Sequence, residues 1–141
     1  VLLLFGGGIT LSSVMQVSGA SQVLGQLVAD TFTGANPLLI IFIVCVFIIV
    51  LTEFTSNTAS AALLVPVFAG VATQMGMPPE VLVVVIGVGA SCAFMLPVAT
   101  PPNAIVFGSG LIRQREMISA GLVLNIISIF VISLFVYFFV V

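Results

Sequence analysis

Long apolar runs interrupted by short polar clusters set the pattern of this chain. Residues 38–51 are unbroken hydrocarbon apart from the thiol of Cys45. These fourteen residues would make a helix about 21 Å long, short of the ~30 Å hydrocarbon core of a bilayer. The run then meets Thr52-Glu53-Phe54-Thr55-Ser56-Asn57-Thr58, and an apolar stretch resumes at 59–71 with Pro66 late in it. Two short apolar arms around a polar tip predict a re-entrant hairpin over 38–71. Bare backbone at such a tip is tolerated where protein or a watery cavity satisfies it.

A second interruption follows. Residues 76–79 form an interfacial turn, and the pattern over 80–96 predicts a helix that ends at Pro97. Then comes Val98-Ala99-Thr100-Pro101-Pro102-Asn103, after which helical character resumes to about residue 110. Pro101 and Pro102 lack N–H groups, so the carbonyls of Pro97 and Val98 lose their helical partners. A residue before proline is pushed out of the α region, so the helix is expected to open around 98–100. It can restart at Pro101, with Thr100 as N-cap. The whole of 80–110 is thus predicted to be one broken helix. Residues 111–116 carry both arginines and read as a loop, and 117–141 is long enough to span the bilayer.

Towards the amino end, residues 1–11 read as the end of a membrane helix, with Gly6, Gly7 and Gly8 allowing close contact or a break. Residues 12–33 are more polar, and Val14, Val17, Leu24, Leu27 and Val28 fit a helix lying near an interface. Residues 1–33 together form a scaffold and interfacial region. A chain that opens at Val1 inside an apolar stretch, with no initiator Met or basic start, is expected to be part of a longer protein without a signal peptide.

Composition turns this pattern into a solvent argument. Of 141 residues, 62% are hydrophobic and 4% charged, where a water-soluble domain carries about a quarter charged residues. Lipid must therefore solvate most of the surface. The fold class expected is all-α integral membrane: a helix bundle with a re-entrant hairpin and a discontinuous transmembrane helix. A net charge of −2, with no basic run, argues against nucleic acid as a partner. The absence of His excludes a His base, and the single Asp excludes an Asp pair, so an enzyme is not expected. Cys45 and Cys92 sit in apolar runs and read as buried thiols, without metal-ligand spacing.

The breaks are where the chemistry concentrates. A helix that ends in the membrane offers free carbonyls, which suit a cation, and one that begins there offers free N–H groups, which suit an anion. Ser56, Asn57 and Thr58 are good N-cap residues for the arm starting near Ala59. The arm ending near Thr52 releases its last carbonyls, and the Asn57 side-chain oxygen can join them. A Pro-Pro pair alone is more often a kink, and membrane Ser, Thr and Asn most often bond a neighbouring helix. Two such clusters in one short chain favour a shared site of the kind found in secondary transporters. Glu53 is either a coupling carboxylate or a structural hydrogen-bond acceptor near the tip. Arg113 and Arg115 read as interfacial anchors, and Asn125 as a helix-packing residue.

The run Thr52-Glu53-Phe54-Thr55-Ser56-Asn57-Thr58-Ala59, followed by Leu96-Pro97-Val98-Ala99-Thr100-Pro101-Pro102-Asn103-Ala104, closely resembles the divalent anion:sodium symporters, the sodium-coupled dicarboxylate, citrate and sulfate carriers. Leu4-Phe5-Gly6-Gly7-Gly8 and the stretch from Gly121-Leu122 to Asn125-Ile126-Ile127 fit as well. The resemblance implies the second half of an inverted-repeat transporter that works as a homodimer, with a transport domain moving elevator-like against a scaffold. It implies that Ser56, Asn57, Thr58, Thr100 and Pro101 contact a substrate carboxylate. It also implies a sodium site built from Thr52, Thr55, Asn57 and Ala99, largely through backbone carbonyls, with Na+ as the co-transported ion. The chain carries one Ser-Asn-Thr tip, so the first repeat, with its own tip and sodium site, would have to complete the site.

The function expected is sodium-coupled symport of a small dicarboxylate across the plasma membrane by a multi-pass protein. Two other readings compete. A sodium-independent exchanger would keep transporting when choline replaces sodium. A non-transporting membrane scaffold would bind no dicarboxylate. By the positive-inside rule, Arg113 and Arg115 place the 111–116 loop on the cytoplasmic side, with the hairpin opening outward.

Overall fold

A computed structural model describes residues 6–7, 10, 13–14, 17–31, 34 and 36–141. Much of the glycine-bearing run at 1–11 and of the polar stretch at 12–16 lies outside the described residues, as do the side chains of Leu24 and Val28. Among the described residues every regular element is a helix: α1 Ala20–Thr31, α2 Pro37–Phe54, α3 Asn57–Gln74, α4 Pro79–Gly89, α5 Pro101–Gly108 and α6 Gln114–Phe139.

The α2 helix starts where its sequence permits. Pro37 fills the first turn, and the Asn36 side chain accepts a hydrogen bond from Leu38 N at 2.9 Å. Its apolar run does not end at Leu51, as hydropathy alone predicts. Thr52, Glu53 and Phe54 continue the helix to 18 residues, about 27 Å. They can do so because Thr52 and Glu53 are buried against hydrogen-bond partners, described below, rather than left bare in the membrane. Ile41, Cys45, Ile48 and Thr52 fall three or four residues apart and form one fully buried stripe.

The tip that follows is short. Thr55 and Ser56 are extended, and α3 begins at Asn57. At its far end α3 closes through Met75 and Gly76; Met77 N donates to Ala72 O at 2.9 Å, and Gly76 holds φ +72°, a conformation glycine adopts without cost. The two arms of this hairpin meet each other lightly. Both pack instead on α4, which also packs on α6, while α1 lies against α3. The core therefore sits around α4: Val81, Leu82, Val85 and Ile86 are fully buried, against Ile48 and Ile49 of α2, Val71 and Ala72 of α3, and Ile132 and Val136 of α6.

Three further boundaries depart from the sequence pattern. The helix predicted over 80–96 stops at Gly89, so the break runs from 90 to 100 instead of opening around 98–100. Cys92 consequently lies half-buried in the break, while Cys45 is buried in α2. The restarted helix ends at Gly108 rather than near 110. The loop predicted at 111–116 is shorter, because Gln114–Glu116 already belong to α6. There the Glu116 carboxylate accepts from Arg113 N at 2.9 Å, which secures the first turn.

The surface is that of a chain in lipid. Both α2 and α6 are long and apolar enough to cross a membrane. The α6 window has a mean hydropathy of 2.6 with only 22% of it buried, whereas the core helix of a soluble protein would be mostly buried. Phe130, Val131, Phe135, Phe138 and Phe139 all point outward from it.

Candidate functional site

Two helix beginnings open onto one cavity. At the tip, Ser56 is the N-cap of α3 and its hydroxyl accepts from Ala59 N at 3.4 Å. At the break, Thr100 is the N-cap of α5 and its hydroxyl accepts from Asn103 N at 3.3 Å, with Pro101 and Pro102 in the first turn. The cavity between them has a volume of about 720 Å³. Ser56, Asn57 and Thr58 line one side, and Ala99, Thr100 and Pro101 the other, with Ser91, Ala93, Phe94, Pro102 and Asn103 completing the wall. All five residues expected to contact an anion thus border the same space. No Arg or Lys is among the lining residues, so an anion there would meet N–H groups, hydroxyls and amides.

Beside the cavity lies a cluster of oxygens. Thr52 Oγ1 is 2.6 Å from Asn57 Oδ1 and 2.9 Å from the Ala90 carbonyl. A hydroxyl has one hydrogen and both partners are acceptors, so it can donate to only one at a time. Thr52 Oγ1, Asn57 Oδ1 and the Ala90 carbonyl are thus neighbouring oxygens, the donor type that a small hard cation takes. Thr52 and Asn57 were expected here; Ala90 was not, because a helix through 96 would have used its carbonyl. Ala99 is buried and lines the cavity. The Thr55 side chain does not join them: its hydroxyl donates to Leu51 O at 3.0 Å and pairs with Ser60 Oγ at 2.6 Å, within the hairpin. Its role at a cation site would fall to its backbone. Among the described residues no group of three or more His, Cys, Asp or Glu could hold a metal ion.

The break itself is held by side chains from three directions. In a continuous helix Phe94 N–H would donate to the Ala90 carbonyl. Adjacent residues of α2 take both halves of that bond. Thr52 donates to Ala90 O, and Glu53 Oε1 accepts from Phe94 N at 2.9 Å. The same carboxylate accepts from Met95 N at 3.0 Å and, through Oε2, from Leu96 N at 3.0 Å. Three consecutive N–H groups thus converge on one carboxylate, in the manner of an anion nest. Asn103 supplies the opposite partners, its Nδ2 donating to Ala93 O at 2.9 Å and to Leu96 O at 3.0 Å. Ala93 O has need of it, because its helical donor would be Pro97, which has no N–H.

The third direction is α6. Asn125 Nδ2 donates to Glu53 Oε1 at 2.7 Å, with both residues buried. One turn earlier, Gly121 lets α6 reach the break: a Cβ there would lie 2.6 Å from Met95 Cα and closer still to the Phe94 carbonyl. Of the two readings open for Glu53, hydrogen bonding near the tip is the one visible in the geometry. Asn125 packs between helices as expected, but its bond to a buried carboxylate was not legible from sequence. Nor was the double bond of Asn103; the missing N–H of Pro97 is the signal that could have found it.

Three comparisons with known proteins bear on this geometry. A family profile described as "Sodium:sulfate symporter transmembrane region" matches residues 1–140. An "Uncharacterized transporter" of Haemophilus influenzae is 57% identical over 139 residues, covering 99% of this chain and 30% of that protein. The "Sodium-dependent dicarboxylate transporter SdcS" of Staphylococcus saprophyticus is 44% identical over 140 residues, covering 99% of this chain and 27% of that protein. The chain thus spans under a third of the length of these relatives.

Proposed function

The chain belongs to the sodium:sulfate symporter family of integral membrane transporters, and from that premise we propose that it supplies half of a mid-membrane site for sodium-coupled uptake of a small dicarboxylate. The observation that carries this reading is the cavity onto which the N-termini of α3 and α5 open, beside the oxygens of Thr52, Asn57 and Ala90. Ser56, Asn57, Thr58 and Thr100 take one carboxylate of a succinate-like anion through N–H groups and hydroxyls, and Pro101, which has no donor, touches it through its ring alone. Thr52, Asn57, Ala99 and the Thr55 backbone take Na+, joined by the Ala90 carbonyl. A cation is needed because the anion meets no basic side chain here, and a bare charge at membrane depth is costly. The name of the staphylococcal relative, a sodium-dependent dicarboxylate transporter, supports this choice of substrate and ion.

In the same reading α2 and α3 form a re-entrant hairpin, and a preceding inverted repeat supplies the other half of the site. The complete protein is a multi-pass homodimer of the plasma membrane and moves its transport domain in an elevator-like cycle. The exposed apolar faces of α5 and α6 then meet lipid or the rest of the transporter.

The test is radiolabelled succinate uptake into proteoliposomes containing the full-length protein that carries this segment. Asn57→Ala and Thr100→Ala should each abolish sodium-driven uptake; normal uptake in both would overturn the site assignment. Replacing sodium with choline should stop transport, and persistence would favour exchange. Sulfate is the second substrate reading, favoured by the family description, and competition between sulfate and succinate separates the two.

A further inference from the structure

The Glu53 carboxylate is the point where α2, the break and α6 meet. We propose that Asn125 is a positioning residue for the anion and cation site, acting through Glu53 to hold the backbone of 93–96 in place. The proposal rests on the functional reading given above.

Asn125 does not line the cavity, so it touches no ligand there. It is 4% exposed and Glu53 is 3% exposed, and their 2.7 Å bond lies between two helices distant in sequence. The amide must present Nδ2 to the carboxylate, because its carbonyl oxygen would be repelled. Chemistry therefore fixes the side-chain orientation. The rest of the carboxylate is committed to the N–H groups of Phe94, Met95 and Leu96. A shift of Glu53 is thereby a shift of those three residues.

Two consequences reach the cavity. Phe94 lines it directly, next to Ala93. The carbonyls of Ala93 and Leu96 anchor the Asn103 amide, and Asn103 N in turn bonds the Thr100 hydroxyl at the start of α5. The α5 helix has no buried residue of its own to fix its position. Its N-terminus is placed by a relay that begins at Asn125 and passes through Glu53, the break and Asn103. Gly121 makes the relay sterically possible, since any side chain there would collide with Phe94 and Met95.

The experiment is a double-mutant cycle in the full-length protein. Asn125→Leu removes the donor at similar volume, and Glu53→Met removes the acceptor it acts through. In sodium-driven succinate uptake, Asn125→Leu should raise KM about tenfold, and in the Glu53→Met background it should add less than about threefold, because groups in one network are coupled. Asn125→Ser, smaller and still a donor, should fall between parent and Asn125→Leu. Effects that multiply independently, or an unchanged KM in Asn125→Leu, would overturn the proposal. The same variants are compared by hydrogen exchange at 93–96, a readout that needs no transport. Exchange should quicken in Asn125→Leu, and the double variant should exchange no faster than Glu53→Met alone. If the parent takes up no succinate, the functional reading fails, and unchanged exchange in Asn125→Leu is then the result that refutes the positioning role.

Discussion

Replacing Glu53 by Gln changes one oxygen into an amide nitrogen and removes a charge, and the structure gives the size of the effect. Gln can keep its carbonyl oxygen where Oε1 accepts from Phe94 N, Met95 N and the Asn125 amide. Its NH₂ then occupies the place of Oε2, where it meets Leu96 N at 3.0 Å and Met95 N at 3.2 Å, donor against donor; Met95 N keeps its bond to Oε1, and Leu96 N has no other acceptor there. A buried N–H left without an acceptor costs about 2 kcal/mol. The three retained bonds lose their charge assistance, but the cost of burying an ion disappears with it. These last two changes oppose each other and are of similar size, so the unpaired Leu96 N–H sets the net loss at about 2 kcal/mol. If it falls on the break alone, the local opening equilibrium should rise about 30-fold. Hydrogen exchange followed by mass spectrometry on a peptide covering 92–99 would read this as faster deuterium uptake, with an α2 peptide as internal control. Exchange within about twofold of the parent would refute the claim that Glu53 holds the break together.

Other substitutions test the remaining contacts. Gly121→Ala should lower the thermal unfolding temperature in detergent, because overpacking costs about 1–3 kcal/mol against a gain in helix propensity of up to about 1 kcal/mol; an unchanged or higher temperature would contradict the close approach of α6 to the break. Asn103→Leu leaves the carbonyls of Ala93 and Leu96 without their amide donor, at a cost of about 1–3 kcal/mol each if they stay dry. It should quicken hydrogen exchange in α5 while leaving α4 unchanged, and equal exchange in both would count against it. Thr52→Val, which keeps the shape and removes the hydroxyl, should raise the sodium concentration for half-maximal uptake about fivefold to thirtyfold, as expected for the loss of about one to two kcal/mol of interaction. A sodium dependence matching the parent would remove the Thr52 hydroxyl from the cation site.

Much of this chain is local and therefore legible in its sequence. Hydropathy alone requires lipid around it, because 4% charged residues cannot wet a surface. Asn36, Ser56 and Thr100 cap the helices that follow them, and prolines open α2, α4 and α5, since capping and proline geometry depend on neighbours three or four residues away. The two polar interruptions could be recognised for the same reason, and the structure brings both to one cavity.

The extent of the second break was decided by tertiary structure. Ala90 to Leu96 contains good helix formers, and local propensity extends the helix to Pro97. The helix stops at Gly89 because Thr52 and Glu53 capture the Ala90 carbonyl and the Phe94 N–H, and no residue nearby in sequence could do so. Glu53 lies 41 residues from Phe94 and 72 from Asn125. A buried carboxylate takes whatever donors packing brings within reach, and packing here depends on α4 at the centre and on a glycine that lets α6 come close. The sequence by itself thus determined the solvent, the caps and the two places where helices break. Only the folded arrangement decided how far the second break extends and which side chains hold it open, because a buried charge is satisfied by proximity in space and helix signals act only along the chain.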